Sequence, residues 1–330
     1  MRQVAGPPAV GRVRAGVTRF LALRWVRTAV AGFRDVGRVG DRVSGLLALW
    51  RVRACVAGAA AAFLGAYLAH RPPFTSRVVF AATGLALVIG FANIVNDIAD
   101  RAVDAVEKPD RPLPSGRVSV ASAAVFAIVT ALAAVGCSVP LGRPLTVWMV
   151  ALVGVSVVYS VFLKGTVLLG NLVVAACAAV PLAYGAVAAG AGTPDGSVSP
   201  AAGPIGSGLP DTVWAGCALV LAFMFGYEVL KTSSDVHGDA LSGLRTVATR
   251  WGNRRAGFVY AGVVVVLTVL AVWVSRFSSH RGWYLISATA TYLIPSWYVV
   301  ARLGRSAYAH LMLVLRRAWL FGLLTLWLLR

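Results

Sequence analysis

The sequence predicts an all-α integral membrane protein with about nine transmembrane helices, on three observations. Hydrophobic residues make up 58% of the chain and charged residues only 13%, where soluble domains are nearer half apolar and a quarter charged. Nine apolar runs are long enough, or nearly so, to cross about 30 Å of hydrocarbon as helices. Lys and Arg are concentrated in alternate loops between those runs, as the positive-inside rule expects.

Residues 1–51 read as a basic tail with ten Arg and two acids. They contain no long uninterrupted apolar stretch with a small-residue cleavage site, so a cleaved signal peptide is not expected. The stretch "FLALRWVRTAVAGFRDVGRVGDRV" has helical apolar spacing and fits an amphipathic helix lying on anionic lipid. A basic disordered tail and an Arg-rich organellar transit peptide are the other readings of this segment. Residues 52–330 form the membrane domain, with spans expected near 52–70, 79–100, 119–139, 144–163, 167–190, 212–234, 257–275, 282–301 and 310–329. The breaks carry turn residues: Pro72-Pro73, Pro112 to Gly116, Gly142-Arg143-Pro144 and Gly252-Asn253. Residues 191–211, "AGTPDGSVSPAAGPIGSGLPD", are a flexible loop by composition. Arg316 and Arg317 interrupt the last run, so that helix either starts deeper or turns them toward the bundle.

With the N-terminus placed in the cytoplasm, the tail and the loops after spans two, four, six and eight hold 22 Lys and Arg. The opposite loops hold five, namely Arg71, Arg77, Arg143, Arg276 and Arg281. The net charge of +19 is therefore a topology signal, and no nucleic-acid partner is expected. Cys55, Cys137, Cys177 and Cys217 lie in apolar runs without CxxC or His pairing. They read as small buried hydrophobes, with neither a disulfide framework nor a metal site.

The acids are the sharpest feature. The chain has 12 Asp and Glu, and eight of them are Asp97, Asp100, Asp104, Glu107, Asp110, Glu228, Asp235 and Asp239. The other four, Asp35, Asp41, Asp195 and Asp211, belong to the tail or the Gly/Pro-rich loop. A carboxylate at membrane depth costs about 2.5–3.5 kcal/mol on insertion scales and is usually functional. Asn93, Asp97, Asp100 and Asp104 stand at i, i+4, i+7 and i+11, one face of a helix. Glu228, Thr232, Asp235 and Asp239 repeat that spacing in "EVLKTSSDVHGD". The two motifs, at 93–104 and 228–239, suggest a duplicated four-helix unit with one added helix.

Two carboxylate faces meeting across a bundle repel unless a cation sits between them. Mg²⁺ suits the donors: it takes hard oxygen ligands, typically one or two carboxylates with waters and substrate phosphate oxygens. Asn93 and Asn96 add amide oxygens. The basic segments after each motif, "EKPDRPLPSGRVS" and "LSGLRTVATRWGNRR", supply Arg and Lys for phosphate oxygens, Arg245 among them. Carboxylates, Mg²⁺, a diphosphate and Arg stacked in that order suit ionisation of an allylic diphosphate. His237 reads as a solvated or supporting residue beside the second motif.

Here the chain resembles the UbiA superfamily of intramembrane prenyltransferases. The resemblance is carried by "NDIADRAVD" (Asn96 to Asp104), "RPLPSGRVS" (Arg111 to Ser119), "VYSVFLKGTVLLGNLVVA" (Val158 to Ala175) and "SDVHGDALSG" (Ser234 to Gly243), and runs from about residue 50 onward. It implies nine helices around a central cavity open laterally to lipid, and Mg²⁺-dependent use of a polyprenyl diphosphate. The metal–diphosphate role then falls on Asn93, Asn96, Asp97, Asp100, Asp104, Asp235 and Asp239. Asp97, Asp100, Asp235 and Asp239 are the residues on which turnover should depend. Lys164, Arg111, Arg117, Asn171, Glu228, Lys231 and Arg245 are the expected diphosphate and substrate contacts. Thr232 stands where many members carry a further Asp. That form is more similar to the branch alkylating geranylgeranylglyceryl phosphate, or to the chlorophyll-synthase-like branch, than to the 4-hydroxybenzoate branch.

The expected activity is transfer of the prenyl group to an aromatic or lipid acceptor whose identity the sequence leaves open. Tyr159, Phe162, Tyr184, Phe223, Phe225 and Tyr227 are available to shield an allylic cation, and no nucleophilic triad is evident. Two rivals stand beside this reading. A UbiA-type cyclase would close the prenyl chain on itself. A cation-coupled transporter would also use intramembrane carboxylates, but near the midplane rather than at helix ends beside Pro-rich loops.

Overall fold

The chain is seen here as a computed structural model that describes residues 39–190, 208–305 and 307–330. Among these there is no strand. The helices in chain order are α1 (Val39–Trp50), α2 (Val52–Leu68), α3 (Ser76–Glu107), α4 (Val120–Ser138), α5 (Arg143–Val158), α6 (Leu169–Ala188), α7 (Asp211–Ser234), α8 (Val236–Leu241), α9 (Val247–Trp251), α10 (Asn253–Val274), α11 (Arg281–Ala288), α12 (Ile294–Arg302) and α13 (Tyr308–Thr325). Most of the amphipathic stretch expected in the tail lies outside the described residues.

Seven helical stretches are long and apolar enough to cross a membrane, and the bent pair Gly40–Trp50 and Val52–Leu68 makes up to eight. The eighth run expected from the sequence, 282–301, is helical but not one uninterrupted α-helix. A π-turn at Thr289–Leu293 lies between α11 and α12, and this Tyr- and Trp-rich stretch is not among the apolar spans, so the described residues reach eight at most rather than about nine. The turn residues act as their chemistry suggests: Gly142 (φ 102°) and Gly252 (φ 82°) hold conformations that a side chain would strain.

The bundle centre is built from α3, α6 and α7, and α2 packs closely on α6. A Cβ on Gly65 would overlap the Leu182 carbonyl, and one on Gly185 the Ala62 carbonyl. Small residues on both helices thus let the two backbones touch, the usual basis of packing in lipid. Away from the acidic motifs, side chains tie helix ends together. The Arg77 guanidinium donates to the carbonyls of Ala188 (3.0 Å) and Leu141 (3.1 Å), and Thr212 Oγ1 donates to Leu68 O (2.7 Å). These bonds satisfy C-terminal carbonyls that a helix leaves free. All four cysteines are free, and Cys55 and Cys217 are buried.

The α1–α2 break is at Arg51, whose backbone is left-handed (φ 53°, ψ 61°). Such a conformation costs a non-glycine residue about 1–2 kcal/mol, and local bonds offset it. Asn93 Nδ2 donates to the Trp50 carbonyl at 3.3 Å, and Cys55 Sγ at 3.2 Å. Trp50 packs onto Gly90 of α3, where a Cβ would overlap its indole. The 47° bend sends the Arg51 side chain toward α3.

Candidate active site

The two acidic motifs converge on one polar cavity of about 120 Å³. From α3 come Asn96, Asp100, Val103, Asp104 and Glu107; from the following loop, Lys108 and Arg111. Arg51, Tyr159, Lys164 and Lys231 line it as well. Asp235, Gly238, Asp239, Ser242 and Leu244 close it. The closure is tight, because a Cβ on Gly238 would overlap the Glu107 carboxylate.

The wall holds five acids (Asp100, Asp104, Glu107, Asp235, Asp239) and five bases (Arg51, Lys108, Arg111, Lys164, Lys231). Arg51 Nη2 is 2.5 Å from Asp97 Oδ1, and Arg51 Nη1 donates to Asn93 Oδ1 at 3.4 Å. Arg111 Nη1 stands 2.5 Å from Asp104 Oδ2 and 3.6 Å from Asp97 Oδ1. Lys164 Nζ pairs with Asp100 Oδ2, which also accepts from Asn96 Nδ2 at 2.9 Å. Lys231 Nζ donates to Glu228 at 3.1 and 3.3 Å. Among the described residues Asp235 and Asp239 are in no ion pair. Burial pushes the Asp239 carboxyl up to about 6; neighbouring Asp235 adds to the rise, while Lys164, the Thr246 hydroxyl and Lys231 oppose it.

The expected helix faces are redrawn in two ways. In α3 the motif divides between two directions. Asn93 and Asp97 turn to the Arg51 break and lie outside the cavity wall, whereas Asn96, Asp100 and Asp104 line it. The second motif is not one helix face. Helix α7 ends at Ser234, Asp235 caps it, and Asp239 belongs to α8. Glu228 and Thr232 are buried in α7 (8% exposed each), with Glu228 reaching the cavity through Lys231.

Three expected contacts are elsewhere. Arg117 holds its own loop, donating to Asp110 O (2.7 Å) and Ser115 Oγ (3.3 Å). Asn171 is buried at the start of α6, outside the wall, and Arg245 is exposed beyond it. His237 is exposed. Of the aromatic residues proposed as a shield, Tyr159 alone lines the cavity. Phe162 is exposed, Tyr184 packs on Trp148, and Phe223 stacks on Trp319. Arg51 was missed because composition placed it in the tail. A buried Asp97 that needs a cation was the signal that pointed to it.

The donors suit Mg²⁺. Among the described residues no three His, Cys, Asp or Glu side chains stand close enough to hold a metal by themselves. Mg²⁺ is rarely held by an all-protein cage; it takes one or two carboxylates and fills the rest with water and phosphate oxygens. Asp235 and Asp239, like Glu107, line the cavity outside any ion pair among the described residues; the two Asp are the second motif's carboxylates for that role, with Asp100 and Asn96 across the cavity.

Residues 58–328 match the model of the UbiA prenyltransferase family. The chain is 32% identical over 209 residues to the digeranylgeranylglyceryl phosphate synthase of Natronomonas pharaonis, covering 62% of this chain and 68% of that one. The fold is similar to the apo structure of a UbiA homologue from Aeropyrum pernix K1, with TM-score 0.65 and 17% identity. That match covers 82% of this chain and 98% of the other. It is also similar to a UbiA homologue from Archaeoglobus fulgidus bound to GPP and Mg²⁺, with TM-score 0.59 and 16% identity over 86% and 99% of the two chains. With apolar helices enough for a multi-pass bundle and two acidic motifs joined at one cavity, the chain belongs to the UbiA prenyltransferase family and is an integral membrane prenyltransferase.

Proposed function

We propose that this cavity binds a polyprenyl diphosphate with Mg²⁺, and that the prenyl group passes to the free hydroxyl of a lipid bearing a glyceryl phosphate. One observation carries the donor half. Carboxylates from α3 and from α7–α8 face one cavity together with five basic side chains. The relative from Natronomonas pharaonis, by its name, supports the acceptor class.

Bound Mg²⁺ would neutralise charge on the diphosphate and on the departing pyrophosphate. Asp235 and Asp239, with Asp100 and Asn96, are the residues to hold it. Arg111 and Lys164 release Asp104 and Asp100 to turn onto the phosphate oxygens, joined by Arg51 and Lys231. The prenyl C1–O bond breaks and pyrophosphate leaves with the electron pair. The acceptor oxygen then bonds to C1, and its proton goes to the released pyrophosphate. Tyr159 presents its ring to the cationic carbon. The Lys/Arg bias of the loops supports a cavity that opens to the cytoplasm.

The test is mass spectrometry of purified protein in lipid, given a panel of prenyl diphosphates with and without a prenylglyceryl phosphate. The expected product is a bis-prenyl ether, formed only with both substrates and lost in excess EDTA. A cyclised hydrocarbon formed from the diphosphate alone would replace transfer with cyclisation.

A further inference from the structure

We infer that Arg316 holds the phosphate of the lipid acceptor, at the lipid-facing seam between α7 and α13. The inference rests on the transfer reaction proposed above and adds a residue and a place to it.

Arg316 and Arg317 stand midway along α13, eight and nine residues from its start at Tyr308, or about 12 Å into an apolar helix. Among the described residues neither forms an ion pair. A cation at that depth is retained for a use. The two side chains differ in what surrounds them. Arg317 shares an exposed stripe with Leu313, Phe321 and Leu324. Arg316 is on the flank toward α7, where its Nη2 donates to the Tyr227 hydroxyl at 3.5 Å.

That contact has an order along the seam. One turn farther from the cavity, Trp319 stacks on Phe223 at 5.9 Å between ring centroids. In the other direction Lys231, four residues or about 6 Å beyond Tyr227, already lines the diphosphate cavity. A lipid lying along this seam meets the half-buried Trp319 ring for its chain, then a guanidinium, then the site of the leaving group. The three carbons of glycerol span a comparable separation between a phosphate and a hydroxyl. Arg316 remains exposed despite its bond to Tyr227, so its other N–H groups are available to phosphate oxygens. The contacts joining α2 to the chain end are at Tyr67–Trp327 and Tyr67–Arg330, at the far end of α2. The half of α2 nearer Arg51 is exposed at Val52 and Val56.

The test measures binding of a hexadecylglyceryl phosphate, and of the same alkylglycerol without phosphate, to protein in neutral phosphatidylcholine nanodiscs. Arg316→Gln should weaken the phosphate lipid about tenfold, the loss of a charge-assisted contact. It should leave the neutral alkylglycerol and the prenyl diphosphate unaffected. Arg316→Lys should retain most of the affinity, and Arg317→Gln all of it. In turnover, Arg316→Gln should raise the acceptor KM with the donor KM unchanged. Equal binding by wild type and Arg316→Gln overturns the inference, as does equal weakening by Arg317→Gln. Displacement by an equal mole fraction of phosphatidylglycerol also overturns it, since the site would then be a general anchor for anionic lipid. Wild-type protein that binds the phosphate lipid through Arg316 yet transfers no prenyl group overturns the reaction and leaves the lipid site standing.

Discussion

Arg51 and Asp97, 46 residues apart in the chain, meet at 2.5 Å across the break between α1 and α2. Asp97 is only 5% exposed, and its other basic neighbour, Arg111, is 3.6 Å away. Removing one partner of a fully buried pair costs about 3–5 kcal/mol. The Arg51 side chain is 39% exposed, which screens the loss, so Arg51→Gln should cost about 1–2 kcal/mol. Thermal unfolding in detergent measures it. Arg51→Gln with Asp97→Asn should recover part of the loss, because no charge is then left buried alone. A double variant less stable than either single one would refute the pairing.

Gly238 and Glu107 make the second contact on which the site depends. Gly238→Ala places a methyl group on the Glu107 carboxylate, the end of a flexible side chain that must swing within the cavity wall to clear it. Prenyl transfer should fall, since a shift of about 1 Å in the wall disturbs the placement of the substrate. Glu107→Ala in the same chain should restore part of the activity by removing the overlap. Undiminished turnover by Gly238→Ala would show that this closure is not needed.

The carboxylates should separate by role. Asp235→Asn should raise the Mg²⁺ concentration for half-maximal turnover and leave the unfolding temperature near wild type. Asp97→Asn, at a residue enclosed by Arg51 and Arg111, should lower the unfolding temperature and leave the Mg²⁺ requirement largely as it was. Mg²⁺ titrations run beside unfolding curves distinguish the two; the reverse pattern would exchange their roles.

The pH dependence follows from Asp239, whose carboxyl burial pushes up to about 6. Below that pH the group is neutral and a poor cation ligand, so protons compete with Mg²⁺. The sign is a loss of Mg²⁺ affinity as pH falls, about tenfold between pH 7 and pH 5 for one such group. Asp239→Asn should bind Mg²⁺ more weakly throughout and lose this step. Mg²⁺-binding isotherms across that range check both.

Ser242 and Glu107 share the cavity wall, and Ser115 is in the loop after α3. Single cysteines at 115 and 242, in a chain with the four native Cys replaced, should both react with a membrane-impermeant maleimide from the cytoplasmic face only. Labelling of the two from opposite faces would exclude one shared diphosphate site.

Local features are legible in the order of the residues. Apolar runs place most of the helices to within a few residues, because the membrane demands long stretches whose backbone bonds are satisfied internally; α3 is the exception and continues to Glu107, past the expected end at residue 100. Rare acids in a hydrophobic chain mark the site for the same energetic reason. Asp100, Asp104, Asp235 and Asp239, with Asn96, Arg111, Lys164 and Lys231, all reach one cavity. What periodicity could not supply was the partner and direction of each side chain. The equal spacing of the two motifs hid a difference: one divides along a continuous helix, and the other crosses a helix end at Asp235. Arg117 and Arg245, basic like Arg111, were not separable from it by sequence, yet only Arg111 reaches the carboxylates. Arg51 reads as one more tail arginine, and only its left-handed backbone aims it at Asp97. The sequence by itself determined helices, charge and chemistry, since those follow from local composition and from the solvent. Tertiary structure alone decided which acid met which base, because pairs separated by 46 or 64 residues depend on helix packing and bends, which no local pattern encodes.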